Sequence, residues 1–160
     1  MIIALTGTPG TGKTSVSEEL GYPVIHLTEY VKEHGLGEQR EEFEVDVPAM
    51  VESLEDLDGD HVIEGHLAHH VPADICIVLR CAPDELEERL SDRDYPPQKV
   101  RENIESEALD VVLVEAVEEQ DTVVEVDTTG KTVEETVETV KEKIERGEPD
   151  YGDIDWTSEL

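Results

Sequence analysis

Eight residues near the start of the chain, Gly7-Thr8-Pro9-Gly10-Thr11-Gly12-Lys13-Thr14, are of types that together can hold phosphate. They fill every position of the G-x-x-x-x-G-K-[ST] pattern. Gly10 and Gly12 allow backbone angles that other residues resist, so successive N–H groups can turn toward an anion. A helix beginning at Lys13 adds the partial positive charge of its N-terminus. Lys13 is spaced to reach the β and γ phosphates, the Thr14 hydroxyl to hold Mg²⁺, and Ser15 to donate to the α phosphate. The ligand these residues specify is a nucleoside triphosphate.

Two further groups could work on that ligand. The run "VIEGH" ends an apolar segment with Glu64, where P-loop proteins place the carboxylate that holds Mg²⁺ through water. His66, two residues on, would face the same site and could orient an attacking group or water. Arg80, Arg89, Arg93, Lys99 and Arg101 put five of the chain's 12 Lys and Arg within one short stretch. Arg89 and Arg93, four apart on one helical face, are positioned to fold over a triphosphate and stabilise transition-state charge. The alternative for them is ion pairing with Glu85, Glu88 and Asp92. In "HLAHH", His66, His69 and His70 have helical spacing, but no neighbouring cysteine completes a structural zinc set, and Mg²⁺ chemistry already accounts for the region.

These residues need elements to position them. "MIIALTG", "YPVIHL", "DHVIEG", "ADICIVLRC" and "DTVVEVDTTG" read as five buried strands. Helical segments separate them, which indicates one parallel sheet with helices on both faces. "KTSVSEELG" starts a helix that Gly21 can cap. Residues 28 to 58 read as helical pieces rather than sheet, and "QKVRENIESEALDVVLVEAVEEQ" as one long helix. "TVEETVETVKEKIERG" closes the fold, followed by an acidic tail in which Trp156 either anchors a partner or packs back on its own domain.

Composition narrows the function. At 160 residues the chain suits one domain, and no run approaches the ~20 apolar residues of a membrane span. "MIIALTGT" lacks a basic leader, and Cys76 and Cys81 read as reduced thiols, so a cytoplasmic protein is expected. The 42 Asp and Glu give a formal charge of −30. That charge opposes direct binding to nucleic acid. The acids are spread over every segment, as expected of a surface adapted to molar salt. No N-K-x-D motif reads a guanine base, and "DTTG" follows the fifth strand, too late to be a switch. Small kinases remain, which pass phosphate from ATP to a second small substrate under a lid.

With "GTPGTGKT", a third strand ending in acid-x-His, "LxxRxY" (Leu90, Arg93, Tyr95) and "VRENIESEAL", the chain resembles the adenylate kinase isoenzyme 6 family over residues 1 to about 145, in a form suited to a halophilic archaeon. The resemblance implies a P-loop nucleoside-monophosphate-kinase-like, three-layer α/β fold spanning 1–147, with 28–51 as the monophosphate-binding part, 91–101 as a short lid and 148–160 as the tail. It implies Arg93 as the lid arginine contacting ATP. It implies adenylate kinase activity on AMP, ATPase activity, and a role in small-ribosomal-subunit rRNA maturation with a basic ribosomal protein as partner. Glu64 stands where that family more often has aspartate, and residues 28–51 hold only Lys32 and Arg40 as bases. An assembly ATPase and a nucleotide-dependent binding module therefore stay open beside the kinase.

The charge makes its own prediction. In about 0.1 M salt, where the screening length is near 10 Å, the protein should lose structure or activity that molar KCl restores. Circular dichroism and turnover across a salt series check this. Unchanged folding and activity in dilute buffer would remove the case for salt adaptation.

Overall fold

The computed structural model describes residues 1–156. Five strands, β1 (Ile2–Gly7), β2 (Val24–His26), β5 (His61–Glu64), β6 (Ile75–Arg80) and β7 (Val123–Asp127), form a parallel sheet in the order β2-β5-β1-β6-β7. Strands buried on both faces carry apolar residues at consecutive positions, and the period-2 pleat divides those residues between two layers. Ile3, Leu5, Ile77 and Leu79 pack with Val16 and Leu20, and with Val137 and Val140 of helix α7 (Val133–Arg146). Ala4, Ile63, Cys76 and Val78 face the other way. Against them lie Leu27 and Val31 of α2 (Leu27–Glu33), Met50 of α3 (Val47–Ser53), and Leu113 and Ala116 of α6 (Val111–Glu119). The five-stranded parallel sheet read from the sequence is present. No helix among the described residues is long and apolar enough to cross a membrane.

Local signals set several boundaries. Thr132 and Glu135 form a reciprocal capping box at the start of α7, and Gly147 closes it in the left-handed region. The Asp46 carboxylate accepts from Ala49 N at the start of α3. The first helix, α1 (Lys13–Glu18), is shorter than its sequence suggested and ends before Gly21.

Two expectations are corrected. Residues 28–58 are not all helical: Gly37–Gln39 (β3) and Phe43–Val45 (β4) pair as an antiparallel hairpin. Strands of three residues are too short for alternation to register in the sequence, yet Phe43 and Val45 pack on the core while Glu38 and Glu44 are exposed. The long helix is two, α5 (Pro97–Ala108) and α6, because Asp110 adopts φ 58°. Aspartate tolerates that conformation, and its carboxylate there accepts from Arg80 Nη2 at 2.5 Å. The tail is laid along the sheet edge. Asp150 N donates to Val123 O at 3.0 Å and Glu125 N to Asp150 O at 2.8 Å, while Lys143 pairs with the Asp150 carboxylate. Trp156 is half-buried; the rest of the tail, 157–160, lies outside the described residues.

Arg80 explains the break between α5 and α6. It ends β6 with only 1% of its surface exposed. Its Nε donates to Glu107 Oε2 at 2.9 Å, Nη1 to Glu125 Oε2 at 2.6 Å, and Nη2 to both Asp110 and the Glu107 carbonyl. Burial opposes its charge, but the Glu107 and Asp110 carboxylates outweigh burial and the guanidinium holds its proton more tightly than usual. Removing one partner of such a cluster strands the others. Arg80→Met is expected to cost about 3–5 kcal/mol, lowering Tm by at least about 6 °C. Thermal unfolding in molar KCl checks this; a loss below about 1 kcal/mol, the worth of an exposed pair, would show that the cluster holds little together.

Candidate active site

The turn between β1 and α1 is built as its glycines require. Gly10 and Gly12 sit at φ 96° and 97°, and a Cβ on Gly10 would lie 2.9 Å from side-chain carbons of Leu86 and Leu90. Leu86 belongs to helix α4 (Pro83–Ser91), so the turn packs tightly onto a neighbouring helix. The Thr8 carbonyl gathers three donors: Thr11 N at 3.3 Å, Thr11 Oγ1 at 2.8 Å and Lys13 Nζ at 3.2 Å. Its side chain is tied as well, Thr8 Oγ1 donating to Glu107 Oε1 at 2.8 Å. Glu107 thus joins the turn to Arg80 and to Cys81 N, which donates to its other oxygen at 2.9 Å.

Lys13 is buried, while Thr14 and Ser15 open outward. Burial lowers the Lys13 ammonium to a pKa of about 8, with Glu64 opposing the shift and Arg93 adding to it. The site therefore holds a partly desolvated cation whose one hydrogen-bond acceptor among the described residues is a carbonyl.

Glu64 ends β5 beside β1, in register with Leu5 on one side and with His26 on the other. Thr14 Oγ1 donates to its Oε1 at 3.3 Å, and His26 Nδ1 lies 2.7 Å from its Oε2. Sequence reasoning missed His26. A signal existed, since it ends the second strand as Glu64 ends the third, but their adjacency depends on strand order. Two oxygen donors at the start of a helix suit Mg²⁺: Thr14 would hold it directly and Glu64 through water.

Lys13, Thr14, Ser15, Glu64 and His66 line one cavity of about 760 Å³, within the range of small-molecule sites. The same lining takes in Val31 of α2, Phe43 and Val45 of the hairpin, Met50 of α3, and Val112 and Glu115 of α6. Arg93, in the loop between α4 and α5, lines it too. His66 faces the water of the cleft but is walled in by protein. Burial first, then the Lys13 charge, pushes its pKa down to about 4, so it is neutral at pH 7.

The remaining basic residues divide. Arg89 is not among the cavity's lining residues; it pairs with Glu85 and donates to Gly10 O at 3.3 Å, Thr128 Oγ1 at 3.1 Å and Thr128 O at 3.0 Å, which ties the back of the turn to the loop after β7. Lys99 lines the cavity and meets Glu42 of the hairpin turn at 2.5 Å, spanning its mouth. Glu107 was also missed, although it falls on the same helical face as Val100, Ile104 and Ala108, where a carboxylate is out of place unless paired.

A parallel sheet in this order, with a glycine-rich turn and a buried lysine between its central strand and first helix, defines a P-loop protein of the nucleoside-monophosphate-kinase fold. A family model described as "AAA domain" matches residues 3–110. The fold is similar to that of a deoxyadenosine kinase from M. mycoides (TM-score 0.60, 14% identity, covering 91% of this chain and 99% of that one) and to that of a shikimate kinase from Bacteroides thetaiotaomicron (TM-score 0.60, 16% identity, 91% and 98%). In sequence it is similar to proteins named "Putative adenylate kinase" from Thermococcus kodakarensis (48% identity over 98% of this chain and 93% of that protein) and from Natronomonas pharaonis (47% identity over 100% of both). The chain belongs to this archaeal adenylate-kinase family of P-loop proteins.

Lys13 gives the site a pH signature. Above pH 8 the free protein increasingly carries neutral Lys13, whereas a bound triphosphate favours the ammonium, so binding must take up a proton. Affinity for a non-hydrolysable ATP analogue should fall about tenfold between pH 7.5 and 9, with proton uptake visible by calorimetry in buffers of different ionisation enthalpy. Lys13→Arg, which stays charged, should flatten that dependence. A flat profile in the unaltered protein would mean that Lys13 does not meet the phosphates.

Proposed function

We propose that the protein transfers the γ-phosphoryl group of Mg²⁺-ATP to a nucleoside monophosphate, AMP being the acceptor that its relatives' names support. The observation that carries this reading is the lining of the cavity. Besides the phosphate turn it takes in Val31, Phe43, Val45, Met50 and Val112, apolar surface suited to a second nucleotide's base. Attack by water alone would need no such lining.

The chain's residues then have distinct parts. The turn's N–H groups and Lys13 hold the β and γ phosphates. Thr14 and Glu64 would hold Mg²⁺, which when bound would offset the charge of the phosphates. An oxygen of the acceptor's phosphate attacks the γ phosphorus in line, the bond to the ADP oxygen breaks, and Arg93, brought in by the lid at 91–101, stabilises the charge in flight. Residues 28–51 form the acceptor part; Lys32 within it and Lys99 of α5 are the lysines besides Lys13 that line the cavity.

Hydrolysis is the second reading, favoured by one observation: His66 is neutral and open to the cleft, so it can accept a proton or position water. The resemblance to the isoenzyme 6 family supports coupling that hydrolysis, in the cytoplasm, to maturation of the small ribosomal subunit, and a basic ribosomal protein would suit a surface of charge −30.

ADP and free phosphate measured together, in molar KCl with Mg²⁺-ATP, with and without AMP, separate the two. A kinase yields close to two ADP per ATP consumed once AMP is present, without phosphate release; release indifferent to AMP marks an ATPase. Lys13→Ala should lower both activities by at least about 100-fold, and retained turnover would sink the site assignment. His66→Ala should slow hydrolysis more than transfer, by a factor that is constant from pH 6 to 8 because the imidazole protonates only near pH 4. Equal slowing of both would make His66 structural.

A further inference from the structure

One cluster of ligating side chains stands outside the phosphate chemistry. The 3-10 turn Ala68–His70, just after β5, carries two adjacent histidines whose rings stack with centroids 4.2 Å apart. Each faces a carboxylate of α6: His69 Nε2 lies 3.0 Å from Glu115 Oε1, and His70 Nδ1 2.5 Å from Glu119 Oε2. His69, His70 and Glu119 each offer a ligand atom within 4.8 Å of the others. We propose that this cluster binds one divalent transition ion of the zinc type, with His69 Nε2, His70 Nδ1 and Glu119 as ligands and Glu115 beside His69.

Geometry and chemistry both lead there. Tetrahedral zinc with ligands at 2.0–2.2 Å spaces them about 3.4 Å apart, which this cluster reaches by small side-chain rotations. His69 is fully buried, and its other ring nitrogen, Nδ1, lies 2.8 Å from Thr6 Oγ1 on β1. A hydroxyl partner there can fix the tautomer that leaves Nε2 free to ligate. The turn's backbone is held in advance: Gln120 Nε2 donates to the carbonyls of His69 and Val71, both at 2.7 Å, and its Oε1 accepts from Ala73 N.

Charge favours a cation. Glu115 and Glu119, four residues apart on one helical face, repel each other. Two imidazole nitrogens with a carboxylate discriminate against Mg²⁺, which prefers an all-oxygen shell. The "HLAHH" histidines thus obtain from α6 the ligand that their own stretch lacks, while His66 points to the cleft and takes no part. A metal here would clamp the turn after β5 onto α6, two elements that wall the cavity.

The test uses the full chain, stripped with a chelator and then equilibrated with ZnCl₂ in molar KCl and a large excess of Mg²⁺, which saturates the surface carboxylates and the Thr14–Glu64 site. One zinc per chain should be retained and Tm should rise. His70→Ala and Glu119→Gln, both at partly exposed positions, should each weaken zinc binding by more than the about 10–100-fold that loss of an outer partner costs. Co²⁺ in place of zinc should give the intense visible bands of a tetrahedral site in the unaltered protein, a readout independent of whether the variants fold. No zinc retained against Mg²⁺, zinc retained equally by both variants, or a weak octahedral Co²⁺ spectrum would each overturn the proposal.

Discussion

A guanidinium removed from water must find carboxylates or destabilise the fold, and the placement of Arg80 makes that constraint the organising one. Its partners come from α5, from the α5–α6 elbow and from β7, so three elements are fixed relative to the end of β6. Two chains of bonds run from it to the phosphate turn. One passes through Glu107 to the Thr8 side chain. The other passes through the Arg80 carbonyl, which accepts from Thr128 Oγ1 at 2.7 Å, and then through Arg89 to the Gly10 carbonyl. Buried ion clusters of this sort often add little net stability, because desolvation offsets attraction. What this one supplies is position, since each lone pair and N–H has one satisfactory geometry.

The same balance operates inside the site. Lys13 is held by burial in a state that water would not favour, with an ammonium easily deprotonated until a polyanion arrives. A bound polyanion would restore the charge environment that folding removed. His66 is likewise kept neutral by its walls and by Lys13. Both residues trade stability for readiness, a common cost of preorganised sites.

The cleft's walls follow a different logic. The hairpin β3–β4 and the start of α5 meet through an exposed pair, Lys99 with Glu42. Exposed pairs are weak and are screened by salt. An opening held by such a contact can yield to substrate, while the turn, anchored through Arg80, keeps its shape. A turn held rigid beside a cleft that can yield suits a nucleotide kinase.

By itself the sequence determined what depends on near neighbours. The glycines and Lys13 of the turn, the five apolar strand segments, the cap at Thr132 and the carboxylate ending the third strand are all local patterns, set by backbone geometry within a few residues. It did not reveal the hairpin, whose strands are too short to show a period, or the break at Asp110, which is stabilised by a guanidinium thirty residues away. Nor did it join Glu107 to Thr8 across 99 residues, His26 to Glu64, or His69 and His70 to the glutamates of α6. Those pairings follow from strand order and helix docking, which bury a charge or a ring and then oblige it to find whatever partner the packed chain places within reach. Tertiary structure alone decides them, because a buried polar group is satisfied in space and carries no mark of its partner in the residues beside it.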